Sequence, residues 1–132
     1  MTSLKEIAAS VSDAEVEVLQ QLWKQAPLTA QDIIAGMSGD LSSHPKTVRT
    51  LINRLLNKGA IKFKEENRKY LYFPVLKKKD FYDVKTSSFL DKFFGGELPP
   101  LVSFFSSHKK LSDKEIAELR KLLDQQEAGN DK

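Results

Sequence analysis

The chain has 132 residues, of which 40% are hydrophobic, and it contains no cysteine. That length fits one ordinary domain or two small ones and excludes a large enzyme pocket, while the lack of cysteine excludes disulfides, thiolate metal sites and cysteine nucleophiles. The sequence contains neither an apolar run of about 18 residues nor an uncharged N-terminal block, so we expect a soluble, cytoplasmic protein that does not insert into a membrane.

The net charge of +3 is distributed unevenly along the chain. Residues 1–39 carry two basic and five acidic residues (net −3), residues 40–76 carry eight and three (net +5), and residues 77–132 carry eleven and ten (net +1). A central segment with spaced positive charge is typical of a folded surface that contacts a polyanion, but an ordinary solvated surface explains the charge alone equally well.

Two helices are predicted in the N-terminal third of the chain. The first begins at the capping box of Ser12 and Glu15, carries apolar residues at helical spacing and ends before Pro27. The second follows the N-cap residue Thr29 and ends at Met37, before a turn.

A third helix is predicted from Pro45, which suits the first helical position, to Lys58, because Gly59 can adopt the left-handed conformation that ends helices. These are the three helices that we predict before residue 60. Residues 61–65 and 69–73 are β-prone, and the polar residues between them predict a hairpin.

Two further helices are predicted in the C-terminal part. A long one closes at Gly95-Gly96, and the last one begins at the capping box of Ser112 and Glu115. A short apolar segment, residues 101–105, lies between them.

Three helices followed by a hairpin is the order of a winged helix-turn-helix, in which the third helix enters a DNA major groove and the hairpin forms the wing. The predicted fold class is therefore mainly α with a small β-hairpin wing: a winged helix-turn-helix plus a C-terminal helical dimerisation domain. We assign residues 1–76 to the winged-helix DNA-binding domain and residues 77–132 to the helical dimerisation domain.

The predicted third helix has two chemically different faces. Its aliphatic residues share one arc of the helical wheel, and the opposite arc carries basic, hydroxyl and amide groups without any acid. Such groups suit phosphates and base edges, whereas an ordinary solvated helix would include Glu or Asp, so this pattern favours DNA binding. The polar arc consists of Lys46, Thr47, Arg49, Thr50, Asn53, Arg54 and Asn57.

The position of each residue in the predicted helix indicates a role. Residues near the N-terminal end of a recognition helix reach base edges, while Arg54, further along, is expected to bind a phosphate. Thr29 is a candidate phosphate contact at the second helix, although most capping threonines only cap. The candidates for base reading are Lys46, Thr47, Arg49 and Thr50. The candidates for charge contacts from the hairpin, which a solvated hairpin would explain equally well, are Lys62, Arg68 and Lys69.

Six of the eight phenylalanines lie between residues 81 and 105, a segment too short to enclose them all in one monomer. We therefore predict a two-fold interface with a second copy of the chain. The alternatives are a ligand pocket and packing against the winged domain. The candidates for the dimer interface are Tyr82, Phe89, Leu90, Phe93, Leu101, Phe105 and Leu119.

The sequence offers no catalytic residues, since it has no Gly-rich phosphate loop, no G-x-S-x-G elbow and no H-E-x-x-H motif. We predict neither an enzyme nor a cofactor or metal. The alternative function from another class is a winged helix that binds protein through its wing and aromatic residues, without sequence-specific DNA binding. That alternative predicts acids on the third helix, and none is present.

Two blocks, residues 11–18 with Leu22-Trp23 and residues 45–55 with Lys58-Gly59, resemble the penicillinase and methicillin-resistance repressors, the BlaI/MecI type. The second block is the specific one. Weaker matches follow in the right order, so that the resemblance covers nearly the whole chain. They lie at Lys85-Thr86, Phe89-Leu90, Gly95-Gly96, Leu101-Val102, Leu111-Ser112, Glu115-Ile116 and Glu118-Leu119-Arg120.

The resemblance implies a homodimeric repressor whose winged helix binds a palindromic operator in double-stranded DNA and controls a β-lactamase or related resistance operon. It also implies a membrane sensor-protease pathway that ends repression by cleavage in the dimerisation domain. In the family, the cleaved bond is Asn-Phe shortly after a Leu-Val pair. The matching positions here hold Phe104 and Phe105, the candidate cleavage bond of this chain.

Overall fold

The computed structural model describes residues 3–130, and these residues confirm the predicted fold class: helices dominate and one hairpin follows the helix-turn-helix. The helices are α1 (Leu4–Ser10), α2 (Asp13–Lys24), α3 (Ala30–Gly36), α4 (Pro45–Lys58), α5 (Lys78–Phe94), α6 (Leu98–His108) and α7 (Asp113–Asn130). A 3-10 helix, Gly39–Ser43, precedes α4, and the strands β1 (Ile61–Glu66) and β2 (Lys69–Pro74) follow it.

The chain divides into two compact units. The boundary between them falls within α5, after Ser88 and before Phe89. The first part of α5 belongs to the first unit because Phe81 is buried in that unit's core. The second unit contains the end of α5 together with α6 and α7. The assignment of residues 1–76 and 77–132 to separate functional domains stays a prediction.

Local signals in the sequence fix the helices of the first unit. At the start of α2, the Ser12 hydroxyl accepts from the Glu15 N–H (3.2 Å) and the Glu15 carboxylate accepts from the Ser12 N–H (2.8 Å). Thr29 caps α3 by accepting a backbone N–H of the first turn. Helix α4 begins at Pro45 and ends at Gly59, whose φ of +82° is the left-handed cap conformation.

Helix α1 is absent from the predicted elements, so the prediction of only three helices before residue 60 is wrong. Its seven residues are too few for an apolar periodicity to be recognisable. A usable signal lies at its start, where Ser3 and Glu6 have capping-box spacing and the Ser3 hydroxyl accepts from the Glu6 N–H (3.2 Å). Ile7 and Ala8 are buried against the rest of the unit.

The apolar segment predicted at residues 101–105 is part of a longer helix, α6, whose first turn contains Pro99 and Pro100. Proline fits there because the first N–H groups of a helix have no intrahelical partner. Among the helices that the structure describes, none is long and apolar enough to cross a membrane.

The core of the first unit is built from one apolar face of each helix, from the start of β1, and from Tyr72 in β2 and Leu76 after it. The fully buried aliphatic side chains include Val18, Leu19, Leu22, Ile33, Val48, Ile52, Leu55, Ile61 and Leu76. Full burial of each larger aliphatic side chain contributes about 1.5 to 3 kcal/mol. The aliphatic face of α4 therefore anchors that helix and leaves the opposite face free.

The hairpin is joined by backbone hydrogen bonds to the connection between α2 and α3. Its two-residue turn, Asn67-Arg68, has φ of +53° and +65°, as the turns that match strand twist require. In addition, Leu28 and Tyr72 form an isolated antiparallel bridge, with N···O distances of 3.0 and 2.7 Å. This bridge ties β2 to the connection between α2 and α3, so that the wing has a fixed place beside the helix-turn-helix.

Candidate nucleic-acid interface

The two faces of α4 are separated as the sequence predicts. All seven members of the polar arc are exposed, whereas Val48, Leu51, Ile52 and Leu55 are buried. Within residues 3–130, the only ion pair within 4 Å is the one between Glu15 and Lys58, so no carboxylate lies within 4 Å of the cations of the polar arc. These cations are available to a partner of negative charge.

The N-terminal end of α4 differs from a capped helix. His44 occupies the cap position without a side-chain capping bond, and its Nδ1 lies 2.7 Å from the Asp40 carbonyl oxygen. Thr50 donates its hydroxyl proton to the Lys46 carbonyl (3.1 Å), which leaves its oxygen lone pairs and methyl group for outside contacts. A thymine methyl or a donor on a base edge would suit that side chain.

A groove of about 550 Å³ runs between the first turn of α3, the polar face of α4 and the wing. It brings together four of the predicted DNA-binding residues: Thr29, Arg49, Arg68 and Lys69. The remaining predicted residues of α4, together with Lys62, do not line it. The groove thus joins three separate elements into one surface that carries three cations.

Two tyrosines of the groove are absent from the predicted site. Tyr70 is half exposed and Tyr72 is buried, and both line the groove beside Arg49. Alternation along β2 places them on one face of the hairpin, which is the signal that could have identified them. Burial raises the pKa of the Tyr72 hydroxyl, although the positive charge of Arg49 opposes the rise, so this hydroxyl stays neutral.

Lys62 lies on the other face of the hairpin. It stands opposite Phe73 in the register, whereas the groove tyrosine Tyr72 stands opposite Phe63. Alternate residues of a strand point to opposite faces, so Lys62 does not share the tyrosine face. Its contact with a phosphate stays a prediction.

Acidic side chains also line the groove. Asp32, in the first turn of α3, and Glu65, on β1, stand among the three cations. Carboxylates disfavour indiscriminate contact with phosphates but can accept from the amino group of cytosine. In the described residues, no cluster of three or more His, Cys, Asp or Glu side chains is arranged to hold a metal ion.

An ion pair holds the C-terminal end of α4. The Lys58 ammonium lies 2.5 Å from a carboxylate oxygen of Glu15 and 2.7 Å from the Ser10 carbonyl oxygen. Burial raises the pKa of Glu15, but hydrogen bonds from Lys58 and Ser12 and the Lys58 charge outweigh it, so the pKa lies below its ordinary value. The carboxylate is 1% exposed and the lysine side chain 28% exposed.

Lys58→Met is expected to lower the free energy of unfolding by about 2 to 4 kcal/mol, because it leaves a buried carboxylate without its cation. Glu15→Gln is expected to cost less, since the partly exposed ammonium that it leaves can be solvated by water. Urea denaturation at neutral pH compares the two, with Lys121→Met, on an exposed position of α7, as the control. Equal losses in Lys58→Met and Lys121→Met would contradict the expected role of the pair.

The same pair predicts a pH dependence. The pKa of Glu15 is lowered by folding, so the stability that the pair contributes is fully present above the ordinary value of 4.5 and is lost as the pH falls through the lowered folded-state pKa. In Glu15→Gln, the free energy of unfolding should lose this part of its dependence on pH. Denaturation curves recorded between neutral and acidic pH measure the difference.

The second unit carries an apolar surface. None of its residues from 89 to 129 is buried, and Phe93 is 67% exposed, while Leu90 and Leu101 are half-buried. The aromatic rings contact one another, as in the pairs Phe89–Phe93 (5.2 Å between centroids) and Phe94–Phe104 (6.0 Å). The larger exposed side chains are Phe89, Phe93, Leu98, Val102, Phe104, Phe105, Leu119, Leu122 and Leu123.

Tyr82 differs from the other predicted interface residues because it belongs to the first unit. Its ring packs edge-on against Trp23 (6.3 Å) and Phe81 (6.0 Å), and the Lys78 ammonium lies 5.4 Å from its centroid. The ring still exposes 43% of its surface.

Comparison with known proteins gives a family model, described as penicillinase repressor, that matches residues 11–125. The chain is 36% identical over 115 residues to the penicillinase repressor of Bacillus licheniformis, covering 87% of this chain and 90% of that protein. It is 34% identical over 113 residues to the methicillin resistance regulatory protein MecI of Staphylococcus aureus (strain N315), covering 86% and 92%. The solution structure of the DNA-binding domain of the repressor BlaI is 31% identical and covers 61% of this chain and 93% of that one, with a TM-score of 0.47.

Proposed function

The chain belongs to the penicillinase repressor family, and from this premise we propose that it is a DNA-binding transcriptional repressor of resistance genes. It binds a palindromic operator of a β-lactamase or related resistance operon as a homodimer. The observation that carries the proposal is α4, a helix anchored by a buried aliphatic face that exposes an acid-free face of basic, hydroxyl and amide groups.

Helix α4 enters the major groove, with its N-terminal half against the bases. The Arg49 guanidinium can donate two parallel hydrogen bonds to O6 and N7 of guanine, while Lys46, Thr47 and Thr50 contact neighbouring base edges. Arg54, further along the helix, binds a phosphate.

The wing and α3 supply further phosphate contacts. Arg68 and Lys69 line the groove that Arg49 shares, and Thr29 stands at its α3 wall. Cations placed on the backbone fix the register of the recognition helix without reading sequence. Lys62 contributes the same kind of contact from the other face of the hairpin.

Dimerisation buries the apolar surface of the second unit. That unit has no buried residue between 89 and 129, although it exposes several phenylalanines and leucines, so a single copy has too little core of its own. A two-fold interface covers the same surface on both copies and pairs two recognition helices with two half-sites. Its central residues are Phe89, Leu90, Phe93, Leu101, Phe105 and Leu119, with Tyr82 at the edge.

The sensor-protease pathway that the resemblance implies would act on the bond between Phe104 and Phe105. Both side chains are exposed, but the bond lies inside α6, where the Phe105 carbonyl accepts from the Lys109 N–H (2.8 Å). Proteases cleave unfolded or loop segments in preference to helices, so cleavage at this bond requires α6 to unwind first.

The proposal is tested by titrating the intact chain against an inverted-repeat duplex obtained by in vitro selection, at several salt concentrations. We expect a complex whose affinity falls steeply with salt, because phosphate contacts release counterions. A chain that selects no duplex, or that binds with affinity independent of salt, would instead support the protein-binding winged helix.

Arg54→Ala is expected to weaken binding to selected and unrelated duplexes by the same factor and to reduce the slope of log affinity against log salt by about one. Fluorescence anisotropy titrations measure both quantities. Lys121→Ala, a change on α7 outside the predicted contacts, is the control for loss of one positive charge. A slope unchanged from that of the control would remove Arg54 from the phosphate contacts.

A further inference from the structure

Helix α1 lies outside the segment that the family model matches, because α1 ends at Ser10 and the match begins at residue 11. It is nevertheless built into the first unit, where Ile7 and Ala8 are buried. We propose that α1 is a positioning element that fixes α4 against the first part of α5 and thereby sets the half-site spacing that the dimer accepts. This inference rests on the proposed function as a dimeric operator-binding protein.

The first contact joins α1 to the end of the recognition helix. Lys58, the last residue of α4, donates from its ammonium to the Ser10 carbonyl (2.7 Å) while pairing with Glu15. Next to it, the Ile7 Cδ1 lies 3.6 Å from the position that a Cβ on Gly59 would occupy. The C-terminal cap of α4 therefore packs directly on α1.

The second contact joins α1 to α5. The Lys85 ammonium donates to the Ala9 carbonyl (3.3 Å) and also lies 5.9 Å from the centroid of the Phe81 ring. Phe81 is itself a core residue, so this part of α5 is held both by burial and by the lysine.

These two contacts use the same feature of α1, its C-terminal end. The last carbonyls of a helix have no intrahelical partner, and the helix dipole places negative charge there, so cations bind favourably. Lys58 and Lys85 bind adjacent carbonyls, those of Ser10 and Ala9, and they come from two different helices. One short helix end thus fixes the end of α4 and the middle of α5 relative to each other.

The angle between α4 and α5 matters because α5 continues without interruption to Phe94 and carries Phe89, Leu90 and Phe93 of the predicted interface. In a two-fold dimer that uses these residues, the direction of α5 relative to α4 decides how far apart the two recognition helices lie. That distance has to match the separation of the half-sites, about one helical turn of DNA or a multiple of it.

The test compares binding of full-length variants to a single half-site duplex and to inverted repeats whose spacing differs by −2 to +2 base pairs from the selected one. Lys85→Met removes the donor while keeping most of the length of the side chain. We expect affinity for the selected spacing to fall about fivefold, the value of one hydrogen bond, with half-site affinity unchanged. The affinity of the variant should then depend less on the half-site spacing than the affinity of the wild type does.

Lys92→Met, an exposed change on the same helix outside the contacts with α1, is the matched control and should keep the wild-type spacing profile. Two stronger variants are Lys85→Glu, which places an anion against the Ala9 carbonyl, and deletion of residues 1–10. Lys85→Glu is expected to flatten the profile further. A thermal melt of each variant separates loss of folding from loss of spacing preference.

Two results would overturn the inference: a wild-type spacing profile in Lys85→Glu, or a half-site affinity that falls by the same factor as the affinity for the selected repeat. The second result would give α1 a merely stabilising role. If the intact chain itself binds inverted repeats no better than half-sites, the proposed dimeric function fails instead, so the two failures are distinguishable.

Discussion

Replacing Phe93 by aspartate is expected to convert the proposed dimer to monomers and to lower affinity for the proposed palindromic operator by about 100-fold or more. Phe93 is the most exposed aromatic side chain of the second unit, at 67%, and no residue there from 89 to 129 is buried. A carboxylate without a partner in an apolar interface carries a large desolvation penalty. Dissociation of the two copies removes this penalty because the carboxylate returns to water. Each monomer then binds one half-site independently, and binding of the first no longer raises the effective concentration of the second.

Sedimentation equilibrium measures the change in association, and titration with the selected repeat measures the change in affinity. Phe93→Leu keeps an apolar side chain and should remain dimeric, while Phe63→Asp places the same charge on the wing and should leave sedimentation unaltered. Phe89→Asp provides an independent disruption of the same surface. If both Phe93→Asp and Phe89→Asp sediment as dimers, the interface lies elsewhere on the chain.

The second large effect is expected from Arg49→Ala, which should cost about 1 to 3 kcal/mol on the selected operator and relax the preference at one base pair. Arg49 is exposed, lies on the free face of α4 and shares the groove with the wing residues Arg68 and Lys69. In the role proposed for Arg49, its loss removes a paired hydrogen bond to one base as well as a charge. Affinity for unrelated duplexes should therefore fall less than affinity for the operator.

Competition between the selected duplex and its single-base variants measures this preference. Arg49→Lys keeps the charge but lacks the planar fork of donors, so it should retain salt dependence and still lose discrimination. Arg54→Ala gives the contrasting pattern, a uniform loss. A specificity ratio equal to that of the wild type in Arg49→Ala would remove this residue from the base-reading set.

Most of the winged domain was predictable because its elements carry local signals. The capping box of Ser12 and Glu15, the start of α4 at Pro45 and its end at Gly59 are all encoded within a few residues. The two faces of α4 follow from periodicity alone. Helix α1 escaped prediction because seven residues give too little periodicity, and its burial depends on partners distant in sequence such as Gly59.

The composition of the groove was harder to predict than the helices. Tyr70 and Tyr72 join Arg49 only through the fold, which brings the wing, the first turn of α3 and α4 together. Likewise, Lys62 and Lys69 both alternate away from the tyrosine face of the hairpin, yet Lys69, beside the turn, lines the groove and Lys62 does not. Which side chains share a surface depends on these long-range pairings, and a single sequence does not contain them explicitly.

The bridge between Leu28 and Tyr72 has a consequence for how an operator is chosen. Because these backbone bonds attach the wing to the helix-turn-helix, we expect α4 and the wing to contact a duplex as one rigid unit. The duplex then has to adapt its groove width and curvature to this rigid unit, and the energy of deforming DNA depends on the base sequence. Selected sites should therefore favour easily deformed steps at base pairs that no side chain touches.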